Sequence, residues 1–89
     1  MKLNNDGIKL ILDLEQGYGA ISYIRGVLLN IFNPNQHKEV NLLGITRSLD
    51  SEHYELFEDI LYTAKTYDIS VLNNIAYQLL TAQANLIKK

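Results

Sequence analysis

Apolar residues recur along this chain at helical spacing, not at strand spacing. They fall at Ile8, Ile11, Leu14, Tyr18, Ile21, Ile24, Leu28 and Ile31, in steps of three and four. That run predicts one long helix from about Asn5 to Phe32. Gly17 and Gly19 sit in its middle, each costing ~1 kcal/mol relative to Ala, and mark where it bends or breaks. The apolar phase crosses them without a slip, which favours a single bent helix. Asn5 or Asp6 serves as its N-cap. Asn33-Pro34-Asn35 stops it, because Pro lacks a donor and disfavours helix in the residue before it.

Three further helices follow from the same reading. The second runs from about Gln36 to Ser48, with Val40, Leu43 and the aliphatic stem of Arg47 inside, and with Gly44 permitting a close approach. Asp50 or Ser51 caps the third, and Glu52 and Glu55 suit the positive end of its dipole. Its inner face is His53, Phe57, Ile60, Leu61 and Ala64; Glu55, Asp59 and Tyr62 lie opposite. Asp68 or Ser70 caps the fourth, which reaches about Leu86 and ends near Lys88 and Lys89. Leu72, Ile75, Leu79, Ala82 and Leu86 are spaced three and four apart, a seam suited to antiparallel packing. No segment alternates like a strand. The prediction is an all-α fold: one small antiparallel bundle of about four helices over residues 1–89, its first helix long.

Length and composition narrow this picture. With 89 residues the chain predicts a single domain, and 47% hydrophobic residues suffice for a modest core. There is no Cys, so disulfides and thiolate metal sites are excluded. The opening Met1-Lys-Leu-Asn-Asn-Asp-Gly7 lacks the apolar stretch of a secretory signal, and no run approaches the ~18 apolar residues of a membrane span. The expected location is the cytoplasm, away from the membrane.

Charge is unevenly distributed. The net charge is −2, but residues 50–68 carry six acids (Asp50, Glu52, Glu55, Glu58, Asp59, Asp68) against Lys65, a local −5. The rest carries four acids and seven bases, +3. An acidic helix on a slightly basic body suits protein recognition, or is simply a solvated face. It does not suit nucleic acid, where phosphate contacts need clustered Lys and Arg.

Catalytic chemistry finds no foothold. His37 and His53 sit in different segments, and neither has a second ligand at zinc-site spacing. Gly17-Tyr-Gly19 is not a phosphate loop, since it follows helix and lacks the third glycine. Glu58 and Asp59 are sequence neighbours that point apart on a helix. The expectation is a non-enzyme with no cofactor and no metal. Six tyrosines are many for this length, and Tyr gives large, stiff contact area with a polar tip. Tyr18 fits the apolar stripe, Tyr77 borders the core, and Tyr54 and Tyr62 flank the acidic helix.

The stretch Tyr23-Ile-Arg-Gly-Val-Leu-Leu29, then Leu42-Leu-Gly44, then Glu55-Leu56 and Tyr62-Thr-Ala64, resembles the small helical immunity proteins of bacterial type VI secretion systems, in particular those that neutralise NAD(P)+ glycohydrolase effectors. The resemblance covers roughly residues 14–67. The family's separate N-terminal helix has no match ahead of the long one, and the helix from Ser70 to Leu86 is additional. The resemblance implies a stoichiometric inhibitor that binds a cognate toxin domain and occludes its active site. Charge and face geometry then nominate Glu52, Tyr54, Glu55, Glu58, Asp59 and Tyr62 as partner contacts. Alternative readings are a bacteriocin immunity protein, a small phage or plasmid regulator acting through protein binding, and a structural homo-oligomer built on the Leu72–Leu86 seam.

Overall fold

The long apolar run predicted as one helix is two. The computed structural model describes residues 2–15, 19–38, 40–67 and 69–87, and these contain five α-helices and no strand. They are α1 (Asn5–Leu12), α2 (Ala20–Phe32), α3 (Leu42–Ser48), α4 (Ser51–Thr66) and α5 (Ser70–Ile87). An unbroken helix over residues 5–32 would run ~42 Å, longer than the molecule's 35 Å long axis.

The break has a specific chemistry. The backbone N–H of Asp13, the C-cap of α1, donates to Leu10 O. Gly19 then starts α2 from φ 75°, a left-handed conformation open to glycine at little cost. Carbonyls at the end of α1 need partners from elsewhere. Arg25 supplies them: its Nε donates to Ile11 O at 2.8 Å and its Nη2 to Asp13 O at 2.6 Å. Its side chain is buried. Burial pushes the guanidinium pKa down, and nearby Asp13 pushes it back up. Both halves of the run are amphipathic, so the apolar phase persists across a break between two helices. Gly17 and Tyr18 lie outside the described residues.

Other boundaries shift for local reasons. Asn4, not Asn5 or Asp6, caps α1, accepting from Gly7 N at 2.9 Å. The second predicted helix begins six residues late. Ahead of it the amides of Gln36 and His37 both donate to Asn33 O, and Asn30 Nδ2 donates to His37 O at 2.7 Å. These bonds give residues 33–37 a turn in place of a helix. Asn41 then caps α3, accepting from Gly44 N at 2.8 Å. The later start sets which residues face inward: Ile45 is buried, whereas Leu43 is 61% exposed and Arg47 is exposed. Gly44 does allow a close approach, since a Cβ there would come within 2.7 Å of the Tyr23 ring.

One cluster of buried apolar side chains draws on all five helices, each contributing ~1.5–3 kcal/mol. Ile11, Ile24, Leu28, Ile45, Ile60, Leu72 and Leu79 form its centre. Helix α2 touches each of the other four, and its Ile21, Ile24, Val27 and Leu28 are all buried. On α5, Leu72, Ile75 and Leu79 face inward, as the seam predicted; Ala76, outside the seam, is buried too, while Ala82 is half-buried, and the Leu86 side chain and Asp68 lie outside the described residues. Tyr77 does not border the core. It stands 65% exposed on the far side of α5.

Candidate functional site: the outer face of α4 and its groove with α1

Helix α4 begins with a tight cap. Asp50 accepts from the His53 amide at 2.8 Å, and the same oxygen lies 2.8 Å from His53 Nδ1. The His53 backbone bond is the main reason the Asp50 carboxyl sits below its usual pKa, with the bond to the His53 ring next. The buried stripe is Leu56, Ile60 and Thr63. His53, Phe57 and Ala64 are half-buried beside it, but Leu61, predicted inside, is 44% exposed. Leu56 and Thr63 take the centre because the chain ahead of α1 packs on that side. Leu3 N–H donates to the fully buried Thr63 Oγ1 at 2.8 Å, and that hydroxyl donates to Asp59 O at 2.7 Å. The extended residues 2–4 are thereby pinned along α4. At the far end Lys2 Nζ lies 4.8 Å over the Tyr67 ring, which meets Tyr62 edge-on at 6.0 Å.

The pinning opens a groove between α1 and α4 of about 180 Å³. From α4 it is lined by Glu52, Glu55, Leu56 and Asp59; from the α1 side by Asn4, Asp6, Gly7 and Leu10. Gly7 brings the helices close, since a Cβ would meet Leu56 Cδ1 at 2.8 Å. Four carboxylates thus surround a floor of Leu10 and Leu56. Among the described residues no three His, Asp or Glu side chains are placed to hold a metal ion.

Of the six nominated contacts, the structure gathers Glu52, Glu55 and Asp59 at this groove. Tyr62, 43% exposed, stands on the same side one turn further on. Tyr54 and Glu58 are turned away. At ~100° per residue, Tyr54 stands about 160° round α4 from Glu52, where it packs edge-on to Phe57 at 5.7 Å. Asp6 and Leu10 of α1 carry no sequence signal that places them beside α4, because that placement depends on α1 being a separate helix.

A second depression, about 550 Å³, is lined by Gly26 and Leu29 of α2 and by residues 35–38. It gathers His37 and Lys38, and no described carboxylate lines it. The order Tyr23–Leu29 and Leu43-Gly44 has a structural use. Ile24, Val27 and Leu28 are core, Arg25 closes α1, and Tyr23 packs on Gly44. No helix among the described residues is long and apolar enough to cross a membrane. No protein-family model, curated protein or solved structure matches the chain.

Proposed function

We propose that this chain is an immunity protein: a small antiparallel helical bundle that binds a cognate toxin domain in the cytoplasm, one to one, and blocks its active site. The observation that carries the reading is the concentration of negative charge on one side of α4. Glu52, Glu55 and Asp59 converge there with Asp6 from a second helix, while the remainder of the chain is slightly basic. NAD, nucleotides and RNA are anionic, so a basic cleft suits a toxin that acts on them. An acidic face complements such a cleft and speeds association by electrostatic steering. The inhibitor needs no catalysis, cofactor or metal of its own.

Motif order is the second support. The split of the predicted first helix leaves α1 separate, ahead of the helix that carries Tyr23–Leu29, as the resembled family has it. The homo-oligomer reading loses ground, because Leu72, Ile75 and Leu79 of its seam are spent inside the chain's own core. The test is co-expression with the product of the adjacent gene. The immunity reading expects that product to arrest growth alone, and this chain to restore growth and co-purify with it. A harmless neighbour, or a toxic one that this chain neither binds nor neutralises, overturns the reading.

A further inference from the structure

We propose that the outer face of α5 is a self-association surface, on which a second copy of this chain packs antiparallel across a twofold axis. The proposal stands apart from the immunity reading, which uses α4. It starts from a gap in the charge pattern. Charged residues make up 20% of the chain, yet residues 69–87 hold no Asp, Glu, Lys, Arg or His. Helices α1, α3 and α4 each put charged side chains in solvent, Lys9, Arg47 and Glu55 among them. Helix α5 has a solvent face as well, and none of its residues is charged. That face has the spacing of a packing seam. Asn74, Tyr77, Thr81 and Ala84 are all exposed, in steps of three, four and three. Tyr77, near its centre, is as exposed as any large apolar side chain described.

Charge selects the occupant. Two copies meeting through α4 would set one acidic face against another, and like charges repel. Two copies meeting through α5 carry no such repulsion, and a twofold pair needs a surface that complements itself. A basic cleft finds no counter-charge on this face. Depletion of charge round an exposed aromatic is also the make-up of an interface centre. Antiparallel packing sets the two α5 dipoles against each other, and it fits the side chains. With the axis beside Leu80, each Tyr77 seats between Thr81 and Ala84 of the other copy, whose short side chains leave room for the ring. At the edge, Gln78 Nε2 donates to Asn74 Oδ1 at 3.4 Å, so these amides keep a partner as water leaves. Area sets the strength. The 18 residues of α5 give a footprint of about 270 Å² per copy, well under the ~800 Å² per partner that stable complexes bury. The pair is therefore transient and forms at high concentration.

The experiment is sedimentation velocity of the full chain from ~20 μM to ~2 mM, the range of a weak interface. The mass should rise from the 10.2 kDa of one chain toward twice that. It should do so equally at low and high salt, since no ion pair crosses the interface. Tyr77→Glu and Ala84→Glu, both at exposed helix positions, should each leave the circular dichroism unchanged and weaken association about tenfold or more, by placing acids across the axis. The register has its own test, because the chain has no Cys. With oxidised glutathione, Thr81→Cys should form a disulfide dimer. Asn74→Cys should not, since its counterpart lies about 18 Å away along the helix axis. A monomer at every concentration, or a dimer that survives both glutamates, would overturn the proposal. So would a dimer that salt or Glu55→Lys dissolves, or equal crosslinking at residues 74 and 81.

Discussion

The α1–α2 junction and the outer face of α4 both carry charged side chains, and they use them in opposite ways. At the junction a single Arg25 is buried and fully engaged with the backbone of another helix. On α4 a set of carboxylates stands in or near solvent, gathered round a groove. A buried, hydrogen-bonded charge holds a fold together, because removing it leaves the groups it served unsatisfied. Exposed like charges contribute little to a fold. They persist at small cost in stability and shape what the surface attracts. Arg25 therefore helps to explain how the chain folds, and the acidic face is the surface through which the proposed binding would act.

Substitutions can sharpen or break this contrast, and the largest effect belongs at the junction. Arg25→Ala should lose ~3 kcal/mol or more, since two carbonyls at the end of α1 lose a charged donor, read as a lower urea midpoint. Arg25→Lys should fail to restore it, because a point ammonium cannot reach both carbonyls as a fork does. A stable Arg25→Ala protein would break the contrast at once. Thr63→Val comes next, at ~1–3 kcal/mol, because it keeps the shape but removes the acceptor for the buried Leu3 amide. Hydrogen exchange should then rise at Leu3 before it rises at Leu28. Gly44→Ala should cost about 1 kcal/mol net: crowding the Tyr23 ring costs ~1–3, and helix propensity returns up to ~1.

The smallest effect on the fold belongs to the exposed cap of α4. The Asp50 carboxyl sits below its usual pKa in the folded chain, so its contribution to stability is present at neutral pH. That contribution is lost as pH falls below ~3.9 and through the lowered folded value. Asp50→Asn should keep a capping acceptor and flatten that part of the acid-denaturation curve. An unchanged curve would mean the cap bond does not form in solution.

Much of this division was legible in the chain, and the reasons for the rest are physical. Pro34 stopped α2 where expected because a missing amide acts locally. Asp50 capped α4, and Leu72, Ile75 and Leu79 turned inward, because caps and seams are also local. The break between α1 and α2 was hidden because both halves keep one apolar phase. What shows it is Arg25, and a lone Arg in an apolar stretch does not announce that it will close another helix. The site inherited the same blind spot. Glu52, Glu55, Asp59 and Tyr62 could be nominated from one helix. Asp6 could not, since its approach to α4 depends on the break, on Gly7 and on the Leu3–Thr63 bond. Glu58 enters through a charge count and Tyr54 through its place beside the acidic run, and neither criterion weighs the angle at which a residue leaves the helix.

The central claim is that the acidic side of α4 recognises a toxin while contributing little to the fold. Calorimetric titration of the purified adjacent-gene product, with an inactivating substitution to permit its expression, tests this directly. The chain should bind it one to one. Glu55→Lys combined with Asp59→Lys should leave the far-UV circular dichroism and the urea midpoint nearly unchanged and weaken binding by about a hundredfold or more. Affinity unchanged by that double charge reversal, in a protein that remains folded, would contradict the account.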